Sequence, residues 1–162
     1  MKILLAVDGS EYGKAAADSV AGRPWPVNSV IKVLSAVEPP YYPTTETWVL
    51  PENYYAEMES AGKEQAESAV NYAAETLRAK QPAQVEIISL IRGGAAKEVI
   101  LDEAKHWGAD LIIVGSHGYR ALQRLSRSIS WSAINLVVAS TVPSAKSLPS
   151  GLAAVNSFNK VS

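Results

Sequence analysis

Four short apolar runs, each followed by a stretch of helical periodicity, restrict the fold more than any other feature of this chain. Lys2-Ile3-Leu4-Leu5-Ala6-Val7 is the first run; residues 30–37, 85–91 and 110–114 are the others. Runs rich in Ile, Val and Leu suit strands buried on both faces, as in a parallel sheet covered by helices. The segments between them predict helices over 11–21, about 55–79 and 95–107. No Asn-Gly or Asp-Gly hairpin joins one run to the next. Four rounds of strand and helix give an α/β fold with a doubly wound parallel sheet. At 162 residues the chain suffices for one domain with a real core.

Local signals punctuate this pattern. Ser10 is placed to cap the first helix, with Ala15, Ala16, Val20 and Ala21 on its inner face. Arg23-Pro24-Trp25-Pro26 breaks the chain before the second strand. Residues 38–54, rich in Pro and Tyr, form a long connection of the kind that is often functional. Tyr41, Tyr42, Trp48, Tyr54 and Tyr55 give it the material for a lid or a packed loop. Ala61, Ala69, Val70, Ala73 and Leu77 mark the inner face of the next helix, and Val99, Ile100 and Ala104 that of the third, which Gly108 stops. Beyond residue 118 the pattern weakens. A helix is predicted over about 120–139, with Leu136-Val137-Val138 ending it or starting a short strand. Residues 1–142 form the expected domain, and 143–162 a poorly ordered or divergent tail.

Ligands of such sheets sit at the carboxyl ends of the strands. Asp8, Val37, Gly93 and Gly115 fall at or just after strand ends and should line one edge. The last strand runs into Gly115-Ser116-His117-Gly118 and then a basic stretch with Arg120, Arg124 and Arg127. A strand, a Gly-x-x-Gly turn and a helix can present backbone N–H groups to a phosphate. Gly115 is expected to need φ > 0 or room for an anion. Asp8 either accepts a hydrogen bond from an adenine amino group or ribose hydroxyl, or faces the dipole of the helix that follows. His117 either donates to a phosphate or acts as a general base, or is a turn residue whose backbone matters more. His106 reads as a surface residue near a helix end.

Composition excludes other classes. There is no cysteine, so neither a disulfide scaffold nor a thiolate metal site is available. No run approaches the roughly 18–20 apolar residues of a membrane span, and Asp8 and Glu11 interrupt the N-terminal run too early for a signal peptide. A cytoplasmic location is expected, with neither membrane nor nucleic acid as partner. The net charge is −1, but all sixteen Asp and Glu and only ten of the fifteen Lys and Arg lie in the first 110 residues. The remainder is basic, which suits a phosphate-facing region. Gly-x-Gly-x-x-Gly, the Walker-type loop and the Gly-x-Ser-x-Gly elbow are all absent.

Residues 2–10, 83–94 and 109–118 together resemble the universal stress protein family, and the resemblance extends over about 1–125. It implies a flavodoxin-like three-layer sandwich of the adenine nucleotide α-hydrolase type. It also implies ATP or AMP as ligand, with Mg²⁺ as a companion ion, and a regulatory role in stress without catalysis, a slow ATPase aside. Carried over by position, Ala6, Val7 and Asp8 match the adenine-side segment, and Ala36 and Val37 the second-strand wall. Gly115, Ser116, His117 and Gly118 match the start of the phosphate motif. The family's third glycine is missing: Ser128 stands there, or Arg127-Ser128 if the register shifts by one. The family's fifth strand finds no clear match, which leaves the interface of the expected homodimer undefined. Adenine nucleotide binding is the first reading. A stress protein acting through protein partners or oligomerisation, without nucleotide, is the alternative.

Overall fold

A computed structural model describes residues 1–39, 52–115 and 135–139, the last five as backbone. The elements are β1 (Lys2–Ala6), α1 (Glu11–Ala21), β2 (Val30–Val37), α2 (Glu52–Lys80), β3 (Glu86–Gly93), α3 (Ala96–Trp107), β4 (Leu111–Gly115) and β5 (Asn135–Ala139). All five strands are parallel, in the order β3-β2-β1-β4-β5. The doubly wound α/β reading holds.

Burial follows strand position. Central β1 has Ile3, Leu4 and Leu5 fully buried, and β4 is buried from Leu111 to Val114. β3, at the sheet edge, is only half-buried. Because side chains alternate across a strand, the sheet feeds two cores. Ile3, Leu5, Val7, Ile31, Val33 and Ile113 pack with residues of α1 and α2. Leu4, Ala6, Leu34, Ile112 and Val114 pack with Val99, Ile100 and Ala104 of α3. Among the described residues, two helices therefore cover one face and α3 the other.

Several local expectations are met. Ser10 caps α1, its hydroxyl accepting from Gly13 N at 3.1 Å. Gly108 closes α3 at φ 70°, a left-handed conformation that glycine adopts freely. Others need correction. Ala17, not Ala15, is buried on α1, and Ala61 is exposed on α2, whose buried face begins at Ala66. α2 starts at Glu52, so residues 52–54 belong to it and not to the connection.

The largest correction is at residues 135–139. They form a parallel strand against β4, Leu111 opposite Asn135 and Gly115 opposite Ala139. The expected helix does not extend over them; of the two readings of Leu136-Val137-Val138 the short strand holds, and it is a fifth strand, for which the sequence offered no clear match. A short apolar run has no period that separates helix from strand; here the sheet edge offered by β4 decides it. The rest of the expected helix, the aromatic loop residues 41, 42 and 48, and the 143–162 tail lie outside the described residues.

Candidate functional site

β1, β2 and β3 run outward in one direction, after which the chain crosses back to place β4 on the other side of β1. The switch point is therefore between β1 and β4, where ligands of open α/β sheets bind at the carboxyl ends. Asp8 follows β1 and Gly115 ends β4, so the two flank it.

Asp8 is exposed, although it follows five buried residues. Its Oδ1 accepts from Ser10 N at 3.0 Å and Ser10 Oγ at 2.6 Å. Ser10 in turn caps α1, so the carboxylate braces the helix start at one remove. Among the described residues its Oδ2 has no partner. Its carbonyl oxygen accepts from Gln65 Nε2 of α2 at 3.0 Å, and Gly9 turns the chain at φ 78°. The loop is thereby held on both sides.

At the end of β2, Val37 and Ala36 face opposite ways. Val37 lies under α2, where a Cβ on Gly62 would meet its Cγ1 at 3.5 Å. Ala36 packs on the α3 side. Val7 and Ala6 divide in the same manner. The backbone edge thus unites Ala6, Val7, Asp8, Ala36 and Val37, while their side chains serve two layers. Glu38 adds a second carboxylate at this edge. Its Oε1 accepts from Ala96 N at 3.1 Å and caps α3, whose own N-cap residue, Ala95, makes no side-chain bond.

Gly115 is a glycine for a reason other than φ. Gly9, Gly94 and Gly108 are the described glycines with positive φ, and Gly115 is not among them. A Cβ on Gly115 would instead collide with the Tyr12 carbonyl and lie 2.6 Å from Gly13 N. The end of β4 is packed directly on the first turn of α1. Ser116, His117, Gly118, Arg127 and Ser128 lie outside the described residues.

A cleft of about 360 Å³ opens beside this edge, between α1 and α2. Val7, Ala69 and Ala73 supply its apolar surface, and Gly13, Lys14 and Tyr72 stand along it. Gln65 and Ser68 complete it. Glu11, at 2.8 Å, raises the pKa of the Lys14 ammonium by hydrogen bond and charge. No motif in the sequence announces this cleft. Its trace is the polar and small set 65, 68, 69, 72 and 73 along one face of α2.

His106 is exposed in the last turn of α3, with Nδ1 2.9 Å from an Asp102 carboxylate oxygen, as befits a surface residue. Among the described residues no three His, Asp or Glu side chains gather to hold a metal, and no helix is long and apolar enough to cross a membrane.

With this sheet order and edge in view, comparison with known proteins is decisive. Residues 1–141 match the universal stress protein family. The chain belongs to that family. Universal stress protein A homolog 2 of Coxiella burnetii is 54% identical over 41 residues, which is 25% of this chain and 28% of that protein. The chain thus aligns with under a third of that relative's length. The solved structure of the protein MJ0577 shares the fold at TM-score 0.68 and 20% identity, covering 88% of this chain and 97% of that one. A universal stress protein family member from Arabidopsis thaliana, solved with AMP bound, covers 86% and 92% at TM-score 0.57 and 16% identity. The adenine nucleotide α-hydrolase-like sandwich is therefore the fold of this chain as well.

Proposed function

We propose that this universal stress protein binds an adenine nucleotide, AMP or ATP, at the carboxyl edge of its sheet, in a regulatory and non-catalytic role. The reading rests on Asp8. Its carboxylate stands exposed at the switch point with one oxygen committed to Ser10 and the other without a partner among the described residues. An ionised carboxylate only accepts hydrogen bonds, so it suits an adenine amino group or a ribose hydroxyl. The bound AMP in the Arabidopsis relative supports the same ligand class.

In this reading Ala6, Val7, Ala36 and Val37 form the base-side edge. Residues 115–118, with Arg127 and Ser128, take the phosphates. An arginine near that position would pair with phosphate oxygens in place of the missing glycine's backbone approach. Mg²⁺ would arrive on ATP phosphates, since this ion is usually held by one or two carboxylates together with the substrate's phosphates. β5 at the sheet edge supplies a strand for a homodimer, and light scattering of the purified chain would test that state.

Calorimetric titration of nucleotide-free protein with AMP and ATP, with and without Mg²⁺, tests the function. Binding in the micromolar range is expected. A folded sample that binds neither nucleotide would overturn the reading and leave partner capture in its place.

A further inference from the structure

We propose that the α1–α2 cleft is a second small-molecule site and takes a planar aromatic carboxylate. It adjoins the nucleotide edge, with Val7 common to both, but Asp8 is absent from its walls.

The cleft exists because its facing residues lack bulk. Gly9 beside α1 and Ala69 and Ala73 on α2 have little or no side chain with which to close the gap, whereas a Cβ on Gly13 would point at Asp8 and Ser10 instead. Further along the same layer, Ala17, Val20 and Leu77 are buried and fill the space. A slot between helix backbones admits the edge of a flat ring more readily than a branched molecule. Its volume of about 360 Å³ lies at the low end of ligand cavities, which suits one or two rings and excludes a long acyl chain.

The lining defines the chemistry. Tyr72 is 40% exposed and offers a ring surface for stacking. Lys14 Nζ stands 6.0 Å from the centre of that ring. Its protein partner is Glu11, whose side chain is 85% exposed, and such surface pairs are weak. A ligand carboxylate at the mouth of the cleft, held there by its ring, can therefore compete with Glu11 for the ammonium, whose side chain is 43% exposed. Ser68 Oγ has no protein partner among the described residues and can serve a second polar group on the ring. A single lysine with a glutamate beside it is a poor match for a polyphosphate, and a cationic ligand would meet Lys14.

The test is an NMR titration of the full ¹⁵N-labelled chain with 4-hydroxybenzoate. Saturable shifts are expected at the amides of Gly9, Gly13, Ser68 and Ala73. Lys14→Met keeps the aliphatic stem and should weaken binding about tenfold, the scale of one lost charge-assisted contact. Ala69→Leu fills the slot and should abolish binding. 4-Hydroxybenzyl alcohol, which lacks the carboxylate, should bind no better to the original protein than the acid binds to Lys14→Met. Absent shifts at millimolar probe, or equal affinity in the Lys14→Met protein, would overturn the proposal. So would competitive displacement of the probe by AMP, which would merge the cleft with the nucleotide site. Failure of AMP to bind at all leaves the probe result intact, so the two readings fail separately.

Discussion

Gly115 at the end of β4 rests on the backbone of Tyr12 and Gly13, so closely that a Cβ would lie 2.6 Å from Gly13 N. The contact joins the end of β4 to the first turn of the helix that Ser10 caps. Gly115→Val must push α1 away from β4 or fail to pack. Overpacking of this kind costs about 1–3 kcal/mol, and chemical denaturation should show a loss in or above that range. Gly115→Ala should show a smaller loss of the same origin. A Gly115→Val protein with unchanged stability would mean that α1 yields freely there.

Asp8→Ala should have two separable effects. It removes the acceptor for Ser10 N and Ser10 Oγ, which should cost about 1 kcal/mol of stability. It should also weaken AMP about tenfold or more, as expected for loss of a charge-assisted hydrogen bond. Inorganic triphosphate carries no base, so its affinity should change less. Equal losses for ATP and for triphosphate would place Asp8 away from the base.

The legible parts of this fold were those set by local chemistry. Residues 30–37 are a strand with the expected bounds because the apolar run is flanked by a Pro-rich turn and a Pro-rich connection. Ser10 and Gly108 declare helix ends by the hydrogen bond one makes and the φ the other tolerates. β5 was legible only as one of two alternatives, because an asparagine and four apolar residues take their state from β4, some twenty residues earlier. Gly115 showed that a glycine mattered but not why. Its constraint comes from a helix a hundred residues away in sequence. The α1–α2 cleft was hidden for a related reason, since it depends on small residues from two helices meeting.

Gln81 offers another long-range contact. Its Nε2 donates to Ala21 O at 2.8 Å, Arg23 O at 2.9 Å and Val20 O at 3.3 Å. The amide just past α2 thereby ties α2 to carbonyls at and just beyond the end of α1. Trp25 Nε1 adds a bond to Val20 O at 2.9 Å. Gln81→Ala should destabilise the protein by about 1–3 kcal/mol, since carbonyls lose a buried donor. Hydrogen exchange should quicken in the last turn of α1 before it does in β1. Uniform quickening across the sheet would show that Gln81 supports the whole core and not one helix end.

Lys32 reaches from β2 to α3, where its Nζ lies 2.7 Å from Glu103 and 4.1 Å from the centre of the Trp107 ring. Its side chain is 12% exposed and that of Glu103 13%, so this pair is screened far less than the surface pairs elsewhere. Arg92 of β3 also meets Glu103, at 3.3 Å. Breaking such a pair leaves a charge without its partner in a poorly hydrated place, whereas replacing both members costs less. Glu103→Gln should therefore destabilise the protein by about 2 kcal/mol or more, because Lys32 is left without a carboxylate, with Lys32→Met somewhat milder because Glu103 then retains Arg92 at 3.3 Å. The double variant should be less damaged than the sum of the two, a coupling above about 0.5 kcal/mol by double-mutant cycle. Simple additivity would show that Lys32 is held by Trp107 and not by Glu103. Trp107→Leu in the same cycle would then carry the coupling instead.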